Sequence, residues 1–307
     1  MNPARAIAFK LAAVTLFVAM SALIKTTADT VPPGQAVFFR SFFAMPVILV
    51  WLVWQGDVTA GLRTADPMGH VWRGVVGTTA MGLMFAALGL LPLPEVTAIS
   101  YATPLLVVVF AAMFLGEQVR LFRLAAVALG LAGVLIVLSP RLGALGGGEV
   151  EAREALGPVV MLAGASCAAL AQVFVRKLVQ RERTEAIVFW FSVTASLLSL
   201  ATLPFGWTWP DGPTAILLVL TGIVGGLAQI CLTSAYRHAE AAVVAPFDYA
   251  SMLLALAVGY LFFDEVPTPV MLSGAGLVIA AGALIIWRER QLGLERGRAR
   301  QGTTPQG

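Results

Sequence analysis

"EVTAISYATPLLVVVFAAMFLGE", residues 95–117, and "VVAPFDYASMLLALAVGYLFFDE", residues 243–265, stand 148 positions apart and agree at seven of 23 positions. Most of the agreements are Val, Ala, Leu or Phe, which any two apolar helices share. Tyr101 over Tyr249 and Glu117 over Glu265 are not supplied by apolar composition, and they point to an internal duplication. Each copy is long and apolar enough to cross roughly 30 Å of hydrocarbon as a helix. The solvent this chain expects follows from the rest of its composition.

Of 307 residues, 59% are hydrophobic and 12% charged, against roughly 45–50% and about 25% in ordinary soluble domains. Thirty glycines and seventeen prolines fit the same reading, because neighbouring membrane helices re-satisfy the backbone groups that such residues free. Ten apolar windows of about 20 residues can be marked, near 6–27, 35–55, 70–91, 95–115, 120–139, 156–178, 185–205, 213–235, 241–262 and 268–287. The first also has the basic start of a secretory signal peptide. Its removal would leave nine spans and no partner for the sixth.

The longest hydrophilic link, "PRLGALGGGEVEARE" at 140–154, divides the chain into five spans plus five. An odd number in each copy forces the two copies to insert in opposite senses. The expected fold is therefore an all-α integral membrane protein, with ten transmembrane helices in two inverted five-helix repeats around a central cavity. Residues 1–145 form the first copy, 146–287 the second and 288–307 a basic cytoplasmic tail. Inverted repeats are a signature of alternating access.

Alternate loops collect sixteen of the twenty Lys and Arg residues, including Arg5, Lys10, Arg63, Arg73, Arg181 and Arg183, while the opposite loops hold only Arg141 and Arg153. By the positive-inside rule both termini face the cytoplasm. The net charge of +3 is thus a topological signal, and no basic domain exists to track nucleic acid. Cys167 and Cys231 lie in separate apolar runs and read as small buried residues, without metal-ligand spacing.

The ten spans, the repeat and the acidic turns that end each fourth span, "FLGE" at 114–117 and "FFDE" at 262–265, resemble the EamA type of the drug/metabolite transporter superfamily. Within it the chain resembles the YddG-like amino-acid exporters. The resemblance implies a basket of helices in which spans 1–4 and 6–9 line the cavity and spans 5 and 10 stand outside. Two departures are visible: Asp264 replaces the usual glycine before Glu265, and Met252 stands where the first copy has Pro104.

Charges inside spans are expensive and by default functional. Lys25 and Arg40 lie near the outer edge, where snorkelling, or a pair with Asp29, competes with a positive vestibule that clamps a substrate carboxylate or closes a gate. Asp248 is well inside span 9 and can bind a substrate ammonium, exchange a proton or pair with a neighbouring donor. Pro104 and Pro246 interrupt corresponding spans and mark candidate hinges. Tyr101 and Tyr249 stand near them, and Gln229 follows the small-residue face "GIVGG" at 222–226, the partner of "GTTAMG" at 77–82. Trp190, Phe39, Phe43, Phe85 and Tyr236 are candidates for an aromatic wall. Glu117 and Glu265 each precede a helix, whose free N–H groups they can accept from, and both read as structural.

With His70 and His238 near loops, no HExxH and no nucleophile–base pair, an intramembrane enzyme is disfavoured. A channel is disfavoured by the repeat. The expected function is a secondary carrier in the bacterial inner membrane that exports amino acids or related small metabolites, with no cofactor and with proton coupling open. An importer or multidrug carrier on the same scaffold is the alternative. Oligomeric state is not specified.

Overall fold

A computed structural model describes residues 3–54, 56, 58–115, 121–142, 149–178, 181–238 and 245–302. Among them thirteen α-helices follow one another: α1 (Pro3–Thr27), α2 (Pro33–Phe42), α3 (Ala44–Trp54), α4 (Val58–Leu62), α5 (Pro67–Leu90), α6 (Leu93–Ser100), α7 (Ala102–Leu115), α8 (Leu121–Leu142), α9 (Glu149–Leu178), α10 (Thr184–Leu200), α11 (Gly212–His238), α12 (Ala250–Phe263) and α13 (Pro269–Gly302). Short 3-10 segments at Leu203–Phe205 and Ala245–Tyr249 complete the described backbone. Six stretches are long and apolar enough to cross a membrane: Ala4–Thr27, Pro33–Trp54, Pro67–Leu90, Leu93–Phe114, Leu156–Val175 and Gly212–Ala235. Shorter apolar helices cover Leu124–Pro140, Glu185–Leu200, Phe247–Phe263 and Pro269–Ile285.

Helix starts are set by prolines whose missing N–H costs nothing in the first turn, as at Pro33 and Pro67. Asp66 adds a cap to α5 by accepting from the Gly69 N–H at 2.9 Å. The same residue type inside a span breaks it. Pro104 removes the donor for Ser100 C=O, and the fourth span divides at Tyr101 into α6 and α7. Its counterpart divides at Tyr249, where the 3-10 turn carrying Pro246 gives way to α12. A third break was not anticipated: Pro46 leaves Phe42 C=O without its helical donor, and the second span divides at Phe43 into α2 and α3.

The packing is reciprocal between the halves. Helix α1 runs along α11 and α5 along α9, while α10 packs on α5 and the α2–α3 pair packs on α11. Helices α8 and α13 pair closely with each other and touch the rest of the bundle more lightly. A Cβ on Gly133 would lie 2.8 Å from Gly274 O, and one on Gly274 would lie 2.6 Å from Gly133 O, so backbone meets backbone there. Asp264 ends α12 in the left-handed region at φ 53°, with the Glu265 N–H donating to Gly259 O at 3.0 Å. That is the glycine-type position of a helix C-terminus, which accounts for a glycine being usual there.

Candidate functional site

Between α2–α3, α5, α10 and α11 lies a narrow crevice. Arg40, Arg73, Phe191, Ser192 and Gln229 supply its polar and aromatic lining, and Ala44, Ile48, Val188, Gly225 and Gly226 complete it. Arg40 is 7% exposed. The guanidinium carbon of Arg73 lies 3.6 Å from the centroid of the Phe191 ring, and that of Arg40 lies 6.0 Å from the same centroid. Cation–π attraction of about 0.5–2 kcal/mol favours such placement, but it leaves N–H groups unused. Arg40 Nε and Arg73 Nε and Nη1 are buried and find no hydrogen-bond partner among the described residues.

Arg40 and Gln229 thus share this cavity. Tyr101, Asp248 and Tyr249 gather at a second place. Asp248 Oδ1 lies 2.7 Å from Lys10 Nζ; the lysine side chain is 2% exposed and the aspartate 48%. The Tyr101 and Tyr249 rings meet edge to face with centroids 5.2 Å apart, and Tyr101 Oη lies 2.6 Å from Ser251 Oγ. Lys25 is not free to snorkel. Its ammonium lies 2.9 Å from Glu265 Oε1 and donates to Leu91 O at 2.7 Å and Leu88 O at 3.2 Å.

Glu265 does meet a helix start, but a different one from that expected. Its Oε2 accepts from the Leu93 N–H of α6 at 2.8 Å. The helix that follows it in sequence is capped by Thr268, whose Oγ1 accepts from the Met271 N–H at 3.1 Å. Trp190, expected on a substrate wall, turns away from the cavity and donates through Nε1 to Leu62 O at 2.9 Å. Phe43 packs on Gly222, and Phe85 belongs to the buried core. Glu117 and the side chains of Pro246 and Tyr236 lie outside the described residues.

Sequence reasoning missed Arg73, Phe191, Lys10 and Glu182. Arg73 and Lys10 were counted among loop charges, yet each sits about two turns inside a helix. Glu182 lies between two arginines and reads as a solvated charge; it is 9% exposed. Its Oε1 accepts from Thr64 Oγ1 at 2.8 Å, Ala65 N–H at 2.6 Å and Asp66 N–H at 2.7 Å, with His70 Nε2 at 3.7 Å. Burial pushes its pKa up, but these hydrogen bonds and the nearby imidazole outweigh burial and hold the carboxyl below its ordinary value. A matching clamp joins the start of α2 to the loop before α11. There Gln35 Nε2 donates to Thr208 O at 2.8 Å, and the Thr208 N–H donates to Gln35 Oε1 at 3.1 Å.

The EamA-like transporter family model matches the chain over residues 4–139 and again over 155–287. The chain is 32% identical to the pseudopaline exporter CntI of Pseudomonas aeruginosa over 86% of its own length and 90% of that protein. It is 32% identical to a riboflavin transporter of Rhizobium johnstonii, covering 84% and 82%. A 27% identity to an S-adenosylmethionine uptake transporter of Rickettsia felis covers 84% of each. A crystal structure of a protein with 23% identity superposes with a TM-score of 0.66 over 95% of this chain and 99% of that one, which supports the fold. Matched by the family model over most of its length, and similar over most of its length to proteins named as transporters, this multi-pass membrane chain belongs to the EamA-like transporter family and is a transporter rather than an enzyme.

Proposed function

We propose that the chain is an alternating-access secondary carrier that exports amino acids or related small metabolites across the bacterial inner membrane. Ten spans form two antiparallel halves, 1–145 and 146–287, with both termini and the 288–307 tail in the cytoplasm. The reciprocal packing carries this reading: the first crossing of each half lies against the third crossing of the other. Such an exchange is what a two-fold relation of the halves requires, and an odd number of crossings in each half puts that axis in the membrane plane. The doubled match of the family model supports it.

Arg40 and Gln229 are the proposed substrate contacts in the cavity, Pro104 and Pro246 the hinges, and Lys25, bound to Glu265, part of a gate. Glu117 is assigned the structural role of its counterpart Glu265. Asp248, whose half-exposed carboxylate pairs with the buried Lys10, is the candidate residue for coupling transport to protons.

The test is counterflow in proteoliposomes loaded with unlabelled amino acids or small organic acids, with and without an imposed pH gradient. Saturable counterflow is expected, impaired in Arg40→Ala and in Asp248→Asn, with the pH response lost in the latter. Conductance without counterflow would mark a channel. A second reading, uptake, is favoured by the S-adenosylmethionine uptake transporter among the relatives. Energised inside-out vesicles accumulate the solute if the chain exports, and right-side-out vesicles if it imports.

A further inference from the structure

We propose that Arg40 and Arg73 together form a receptor for a small dianion, so that the solute is an acidic metabolite rather than a zwitterion. The inference rests on the carrier reading above and names the substrate class of its cavity. Both guanidinium groups converge on one ring, that of Phe191, from opposite ends of the bundle: Arg40 is eight residues into the span that begins at Pro33, and Arg73 is seven into the span that begins at Pro67.

Among the described residues the lining contains two cations and no aspartate or glutamate. Three of the guanidinium nitrogens are buried and have no hydrogen-bond partner among those residues. Two like charges held in a desolvated volume are costly unless an anion completes them. A single carboxylate would leave the site with net positive charge, whereas two carboxylates or one phosphoryl group would neutralise it. An amino-acid ammonium would add a third cation where no lining carboxylate can receive it. Each arginine presents the fork that pairs with an oxyanion through two parallel hydrogen bonds, and Gln229 adds a neutral amide beside them.

Space for both arginines is provided by a pair of glycines 148 positions apart. A Cβ on Gly77 would lie 2.9 Å from Phe191 Cε2 and 3.1 Å from Arg73 Nη1. One on Gly225 would lie 2.8 Å from Met20 Sδ and 3.3 Å from Arg40 Nε. The small-residue faces of α5 and α11 therefore do more than bring helices together: each makes room for one guanidinium group.

The full-length protein in detergent is titrated at constant ionic strength with succinate, inorganic phosphate or leucine, and its unfolding temperature is followed. Succinate or phosphate should raise it and leucine should not; which of the two dianions acts at lower concentration tells carboxylates from a phosphoryl group. Arg40→Gln and Arg73→Gln should each weaken the apparent affinity at least ~10-fold, and Arg73→Lys should recover part of the loss because it keeps the charge without the fork. Without ligand, the double glutamine variant should unfold no lower than the wild type, an outcome that a purely structural role for the arginines excludes. Stabilisation by leucine alone, by no dianion, or undiminished in the double variant overturns the proposal. Dianion binding without counterflow of labelled succinate would refute the carrier while leaving the receptor, and leucine counterflow indifferent to both arginines would do the reverse.

Discussion

The start of the α2–α3 span and the start of α10 are fastened in the same way but with different chemistry. At the first an amide, Gln35, exchanges two hydrogen bonds with the Thr208 backbone. At the other a carboxylate, Glu182, gathers three donors from Thr64, Ala65 and Asp66 beside His70. One clamp ties the start of α2 to the loop before α11 and the other ties the segment before α10 to the loop before α5, and Gln35 and Glu182 lie within one residue of the 148-residue offset. A neutral amide and an ionised carboxylate do not hold equally. Hydrogen bonds to a charged group contribute about 1.5–3 kcal/mol and neutral ones about 0.5–1.5 kcal/mol, so opening the two clamps is not isoenergetic even where the helices match.

That difference can be attacked directly. Glu182→Ala has the largest expected effect, a loss of roughly 3 kcal/mol in unfolding free energy in detergent, because three donors lose their acceptor together. Acid should imitate it. Since the folded pKa of Glu182 is lowered, its contribution is present above the ordinary carboxylate value and falls away as pH drops below about 4.5 towards the folded pKa. Glu182→Gln should abolish this dependence, and a wild-type clamp unaffected down to pH 3 would contradict the assignment.

Lys25→Met comes next. It leaves Glu265 charged, with the Leu93 N–H but without its cation, and should cost about 2 kcal/mol, less than for a fully buried pair because both side chains keep some exposure. Adding Glu265→Gln should recover part of that, measurable as coupling in a double-mutant cycle. Gln35→Ala should have the smallest effect, about 1 kcal/mol, with no pH dependence between pH 4 and 8. If Gln35→Ala and Glu182→Ala cost the same, the asymmetry of the two clamps is wrong.

Much of the helical layout was legible because it depends on counting apolar residues, and the correspondence of Tyr101 with Tyr249 was legible because tyrosine is rare here. The break at Phe43 was not, although Pro46 announced it, because the surrounding run stays apolar on both sides. The cavity was harder still. Trp190 was named and Phe191 passed over, yet one residue turns a helix by about 100°, which sends Trp190 to Leu62 and Phe191 to the arginines. Arg73 and Lys10 were hidden by position, since basic residues near a span's end serve topology far more often than they serve a site. Only the packing of α5 against α10, and of α1 against α11 and the Ala245–Tyr249 turn, reveals which way they point.

The edge-to-face contact of Tyr101 with Tyr249 joins the two places where the fourth and ninth crossings lose their helical continuity. Each interruption is a weak point in a different half, and each rests its ring on the other. A bend at one therefore displaces the support of its twin, and the shared bond of Tyr101 to Ser251 ties that motion to the first turn of α12. In the proposed alternating-access cycle, flexure coupled in this way would disfavour a state open to both sides, through which a solute would leak.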